Sequence, residues 1–260
     1  MTSPPPCLLP GPRCPPGSEP MAVEGGATGV LVLHGFSGSP WEVRPVAERL
    51  AGMGWSVAMP VLAGHADRPE ALAVSRWTDW LASAAEALDW LAARTERQHI
   101  CGLSMGGLLT LELARSRRIP RPGRVALLAP ALDLPAWQKA GLRWVDQLRW
   151  NIEFRKGDPK LPGGQRQPGD PVLPLRAAAS LVALADRLHA AARPLPLPLL
   201  ALHGDRDPTI PHRLARRRFE PWQGPNAQWR TIPGGRHLLP RDVRGPEVVA
   251  QVQAFLQQGG

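Results

Sequence analysis

The chain has 260 residues, 43% of them hydrophobic, enough apolar side chain to build a sizeable core and too much for a coil. Its 26 glycines and 31 prolines stop short of a low-complexity composition, and no apolar run reaches the ~18 residues that a membrane span needs. A formal charge of +9 raises the question of a polyanionic partner, but the three lysines (Lys139, Lys156, Lys160) and the arginines are spread along the chain, with one dense run at Arg216, Arg217 and Arg218; the expectation is a solvated, arginine-biased surface with no specific nucleic-acid partner.

Eight prolines fall in the first 20 residues: Pro4, Pro5, Pro6, Pro10, Pro12, Pro15, Pro16 and Pro20. They leave too few backbone donors for helix or sheet, so residues 1–26 read as a disordered, Pro-rich leader ahead of one domain over 27–260. The leader lacks the charged start and continuous apolar stretch of a signal peptide, which makes the cytoplasm the expected compartment. Three cysteines (Cys7, Cys14, Cys101) cannot all pair, and Cys7 and Cys14 have no matching ligands downstream. A reduced chain without a metal is expected.

Beyond residue 27, short apolar runs alternate with longer helical patterns, the signature of βαβ units and a mostly parallel sheet with helices on both faces. The predicted strands are Gly29 to Leu33, Ser56 to Met59, His99 to Leu103, Arg124 to Ala129, Leu197 to Leu202 and Gln228 to Ile232. The predicted helices are Trp41 to Met53, Trp77 to Ala93, Met105 to Ser116, Ala178 to Ala191, Pro211 to Phe219 and Pro246 to Gln257; in the second, Trp77, Trp80, Leu81, Ala84, Leu88 and Leu91 share one face at 3.6 spacing. From about 132 to 177 the alternation breaks and no strand is legible. Here an insertion is expected, with Leu142, Val145, Leu148 and Ile152 on one side of a short helix and Trp144 or Trp150 facing an apolar substrate, as a small cap would require.

The sharpest motif is Gly102-Leu103-Ser104-Met105-Gly106-Gly107, directly after one predicted strand and directly before a helix. A serine in so tight a strand-to-helix turn projects its hydroxyl above the sheet, and small neighbours are needed because the turn presses backbones together. Serine is a poor nucleophile unless a base takes its proton and an acid holds that base in the right tautomer. Both partners are expected on loops beyond later strands, in the order serine, acid, histidine. Such loops exist: His203-Gly204-Asp205-Arg206-Asp207-Pro208 follows one strand, and Gly234-Gly235-Arg236-His237 follows the next. Asp205 and Asp207 both compete for the acid role, as does Asp133. Two backbone donors are needed for the developing oxyanion: the Met105 N–H comes with the elbow, and Phe36 in Leu33-His34-Gly35-Phe36-Ser37-Gly38 can supply the other. His34 reads as a brace for that loop; His65, His99, His189, His203 and His212 are read as structural and left out of the site.

Together with Pro60-Val61-Leu62-Ala63-Gly64-His65 and the tryptophan-marked helix at Trp77 and Trp80, these segments resemble the α/β-hydrolase fold, and within it the bacterial carboxylesterases and monoacylglycerol lipases. The resemblance spans roughly Ala27 to Leu256. It implies Ser104 as nucleophile, Asp207 as acid, His237 as base, the Phe36 and Met105 N–H groups as oxyanion hole, a cap where the insertion sits, and no metal or organic cofactor. Two departures stand out. Ala66 follows His65 where the family has glycine, and no counterpart of the first hairpin is visible, which leaves a sheet of six or seven strands. The expected activity is hydrolysis of short to medium acyl esters or monoglycerides, through an acyl-enzyme, by a monomer or weak homodimer acting on a small-molecule ester. A thioesterase or amidase with the same residues is the nearest alternative, and a non-catalytic basic binding protein on a hydrolase scaffold the remote one.

Overall fold

The computed structural model describes residues 3–66, 69–116, 118–147, 153–155, 161–168 and 172–258. In chain order the strands are β1 Met21–Val23, β2 Thr28–Leu33, β3 Ser56–Met59, β4 Arg97–Leu103, β5 Pro122–Leu128, β6 Glu153–Arg155, β7 Val172–Pro174, β8 Leu199–Gly204 and β9 Ala227–Ile232. The helices are α1 Arg44–Ala51, α2 Pro69–Val74, α3 Trp77–Ala92, α4 Met105–Arg115, α5 Ala136–Gln147, α6 Leu175–Ala190, α7 His212–Phe219 and α8 Gly245–Gln257. Seven strands form one sheet in the order β1-β3-β2-β4-β5-β8-β9; only the β1–β3 pair is antiparallel.

The central strands are apolar on both faces because helices cover both. On β2, Leu31 and Leu33 point into one core with Trp80, Leu88 and Leu108. Their neighbours Val30 and Val32 point into the other, with Val46, Val252 and Phe255. The same alternation runs through β5 and β8, where Val125 and Leu127 oppose Ala126 and Leu128, and Leu199 and Ala201 oppose Leu200 and Leu202. Parallel strands discharge their loops at one end of the sheet. The loops after β2, β4, β5, β8 and β9 therefore meet there.

The leader is a correction to the sequence reading. Residues 6–8 form a 3₁₀ turn, Leu8 is only 3% exposed within the core, and the Val61 N–H donates to the Cys7 carbonyl at 2.9 Å. Met21–Val23 adds the antiparallel edge strand on β3, and the Ser18 and Ser39 hydroxyls share a buried hydrogen bond of 2.9 Å. Proline removes an N–H donor but leaves the carbonyl, so a Pro-rich segment can still accept hydrogen bonds, and its fixed φ lowers the entropy cost of docking.

The insertion also departs from expectation. Its helix is α5, followed by a small antiparallel hairpin, β6 with β7, that three-residue strands are too short to announce by alternation. Leu142 and Val145 are half-buried as expected, whereas Trp137 and Trp144 are 74% and 64% exposed and face solvent. Leu148, Trp150 and Ile152 lie outside the described residues. Among the described residues no helix is long and apolar enough to cross a membrane.

Docking of the leader has a direct test. Leu8→Ala is expected to destabilise the chain by about 2 kcal/mol or more, as core truncation does, read from the urea unfolding midpoint; a midpoint within experimental error of the wild type is what a free leader would give.

Candidate active site

Ser104 follows β4 and precedes α4 with φ 53° and ψ −112°, a conformation that costs a side-chain-bearing residue on the order of 1 kcal/mol or more. Three backbone hydrogen bonds hold it there. Its N–H donates to the Leu128 carbonyl at 2.8 Å, and its own carbonyl accepts from Gly107 and Ala131. The turn is possible only with glycine on both sides: a Cβ at position 102 would stand 2.2 Å from the Gly106 carbonyl oxygen, and one at 106 would stand 2.3 Å from that of Leu33. This close approach is the reason for the two glycines that flank the serine.

The Ser104 Oγ lies 3.0 Å from Nε2 of His237, in the loop after β9, and Nδ1 of the same ring lies 2.8 Å from Oδ2 of Asp207, in the loop after β8. A carboxylate can only accept, so Nδ1 carries the proton and Nε2 offers its lone pair to the serine O–H. Asp207 is fully enclosed at its side chain. Burial alone would raise its pKa, but hydrogen bonds from His203 and His237 and from the Ile210 N–H outweigh it and hold the carboxyl well below the usual range. The N–H groups of Thr209 and Ile210 donate to its Oδ1 at 2.8 and 2.9 Å.

His203, left out of the site on sequence grounds, stands behind that carboxylate. Its Nε2 is 3.0 Å from the Ile210 carbonyl and 3.4 Å from Asp207 Oδ2. Since both are acceptors, Nε2 is the protonated nitrogen; Nδ1 is buried without a hydrogen-bond partner, and the ring stacks on Trp229 at 5.5 Å. Position four residues ahead of Asp207 is the one signal the sequence carries for it.

The rival acids are occupied elsewhere. Asp205 Oδ1 accepts the Gly234 N–H at 2.7 Å and braces the histidine loop. Asp133 binds Lys139 of α5 at 2.6 Å and Arg218 of α7 at 2.7 Å; burial would raise its pKa, and these two cations lower it. Of the two oxyanion candidates, Met105 is the first residue of α4, where a helix leaves its N–H groups free. Phe36 lies in the turn whose Gly35 sits against Ser104, 3.5 Å from its Cβ to an added one. Neither N–H has an acceptor among the described residues.

His34 pins this turn. Its Nδ1 donates to the Gly35 carbonyl at 2.9 Å and its Nε2 accepts the Leu62 N–H at 3.2 Å, a neutral ring whose pKa burial pushes down to about 4. Next to it, Ala66 adopts φ 51°. The turn keeps the left-handed backbone that glycine takes freely, at a cost of roughly 1 kcal/mol for alanine.

A parallel sheet with a serine on the elbow after β4, an acid and a histidine on the loops after β8 and β9, and two free amides beside the hydroxyl defines an α/β-hydrolase. The chain belongs to the Hydrolase_4 family (serine aminopeptidase, S33), whose model matches residues 27–244. It is 41% identical over 120 residues to a thermostable monoacylglycerol lipase of Bacillus sp. (strain H-257), covering 46% of this chain and 47% of that protein. It is 33% identical over 113 residues to a carboxylesterase of Bacillus subtilis (strain 168), covering 43% and 45%. The chain thus spans about half the length of the curated relatives it matches. Among solved structures, one described with LipS and LipT, two metagenome-derived lipolytic enzymes, superposes with a TM-score of 0.86 at 27% identity, covering 94% of this chain and 98% of that one. The monoacylglycerol lipase of Paleococcus ferrophilus gives 0.73 at 19% identity, covering 92% and 98%.

The buried neutral His34 makes stability fall in acid. Its folded pKa lies below the unfolded value of 6.5, so its contribution is full above pH 6.5 and is lost as the pH drops from there towards 4. Between pH 7 and pH 5 the wild type is expected to lose about 2 kcal/mol more than His34→Gln, measured by urea unfolding; equal losses would mean that the ring titrates normally.

Proposed function

We propose that this chain is a serine ester hydrolase in which Ser104 is the nucleophile, His237 the general base and acid, Asp207 the carboxylate that orients and charges the histidine, and the Phe36 and Met105 N–H groups the oxyanion hole. The observation that carries the reading is the unbroken chain of hydrogen bonds from Asp207 through His237 to the Ser104 hydroxyl, at 2.8 and 3.0 Å.

Attack of Oγ on the ester carbonyl transfers the serine proton to His237 Nε2 and places negative charge on the carbonyl oxygen, within reach of two preorganised amides. The imidazolium that forms is stabilised by the enclosed Asp207, whose low pKa keeps it ionised throughout. Collapse expels the alkoxide, which takes the proton from His237 and leaves an acyl group on Ser104. Water then gives its proton to the same nitrogen and attacks the acyl carbon, and a second collapse releases the carboxylic acid and restores the serine.

Esters of short to medium acyl chains, monoglycerides among them, are the proposed substrates. The names of the two curated relatives support this class, while the aminopeptidase description of the family keeps amides as the second reading. The insertion serves as a cap. Lys139 on α5 ties it to Asp133 at the active end of the sheet, and its exposed Trp137 and Trp144 face solvent. Three free thiols, with Cys7 and Cys101 pushed up by burial to about 11 and about 12, are compatible with a cytoplasmic chain.

Ser104→Ala is expected to fold and to lose on the order of 10⁴-fold or more in kcat on p-nitrophenyl esters. Asp207→Asn should cost about 10³- to 10⁴-fold and Asp205→Asn less than tenfold, because only the first sets the tautomer of His237; the reverse order would reassign the acid. Parallel rates on matched oxygen esters, thioesters and anilides decide the leaving-group class. Ester preference is the expected result, and an anilide rate equal to the ester rate would favour the amidase reading.

A further inference from the structure

Gln167 lies in the insertion, 125 residues from Glu42 in sequence, and its side-chain amide donates to Glu42 Oε1 at 2.8 Å. The other carboxyl oxygen of Glu42, Oε2, accepts the Gly35 N–H, also at 2.8 Å. Glu42 is 3% exposed and occupies the hollow of the turn that carries Phe36. A Cβ on Gly38 would stand 2.2 Å from its Oε1, and one on Gly35 would stand 3.0 Å from its Oε2. The carboxyl group is thus the form around which residues 35–38 fold. One of its oxygens fixes the amide next to Phe36; the other is held from the insertion.

From this juxtaposition we propose that Gln167 is a positioning residue for the Phe36 N–H, acting through Glu42, so that the oxyanion hole reaches its working geometry only with the insertion seated. The proposal rests on the ester-hydrolase reading above. The hydrogen bond of Gln167 goes to Glu42, and those of Ser104 and Asp207 go to His237. Taking the Gln167 donor away releases one restraint on the Glu42 carboxyl, and a small rotation of that group carries the Gly35 hydrogen bond, and with it the neighbouring amide, off line. An oxyanion donor counts for more in the transition state than in the bound ester. The loss is therefore expected in kcat rather than in KM.

The test uses the full chain with p-nitrophenyl acetate, whose acyl group is too short to lean on the insertion, and a small trifluoromethyl ketone, whose adduct with Ser104 bears the oxyanion. Gln167→Ala is expected to lower kcat about tenfold, part of the loss that deleting a whole donor gives. KM should stay within about twofold, and ketone affinity should fall by the same factor as kcat. The exchange Glu42→Gln with Gln167→Glu keeps an acceptor for Gly35 and a donor–acceptor pair to the insertion, and is expected to recover most of the rate that Gln167→Glu alone loses; that recovery carries the proposal even where Gln167→Ala lowers the melting midpoint. An unchanged kcat on acetate, a loss seen only with long acyl chains, or a ketone affinity that does not follow kcat would overturn it. A wild-type chain that neither hydrolyses the acetate nor binds the ketone would overturn the hydrolase reading, and this proposal with it.

Discussion

Ser104 holds a backbone conformation that its side chain disfavours, and the surrounding structure is arranged so that it has no alternative. The strand β4 arrives with Gly102 against the Gly106 carbonyl, the helix α4 departs with Gly106 against Leu33, and the serine between them is bonded through its own N–H and carbonyl to β5 and to the loop behind it. Because β2, β4 and β5 are locked in parallel register, the strain cannot relax by sliding one strand. The hydroxyl therefore stands at a fixed height above the sheet, and every other group of the site is placed relative to it.

The electrostatics follow from enclosure. An isolated carboxyl as deeply buried as that of Asp207 would favour its neutral form; two backbone N–H groups and two imidazoles reverse that preference. His203 contributes by denying the carboxylate any water on its far side while donating toward it, so that His237 faces a rigid, charged acceptor. The loops that carry Asp207 and His237 are also tied to each other, since the Arg206 N–H donates to the Gly235 carbonyl and the Asp205 side chain accepts from Gly234. Asp205 thus matters to the site through the backbone of the histidine loop.

Much of this is legible in the sequence alone. The buried strands declared themselves because a parallel sheet covered on both faces needs unbroken apolar runs, and Ser56–Met59 coincides with its predicted limits while the others shift by a few residues. The elbow was legible because its glycines answer a steric demand that no other residue meets. What escaped detection depends on distant parts of the chain. Nothing local in His203-Gly204-Asp205-Arg206-Asp207 tells which aspartate turns inward, and the docking of Leu8 on the core depends on a hollow that only the folded helix α3 and its neighbours create. The hairpin of β6 and β7 is too short for periodicity. Ala66 is a subtler case: it stands where the family has glycine, yet the loop adopts a left-handed conformation that glycine takes freely, beside His65, which packs edge-on against Phe36 and Trp80.

The serine and the histidine are not equally supported. Ser104 hangs from β4, flanked on both sides, whereas His237 follows β9, the last strand of the sheet, paired only with β8 and half-exposed along most of its length. Such a border strand is among the first parts of a fold to open in local fluctuations. On the mechanism proposed above, opening of this strand would detach the proton acceptor while the inner strands stay paired, so that inactivation is expected to precede melting, and bracing this rim of the sheet is expected to lengthen working life at high temperature.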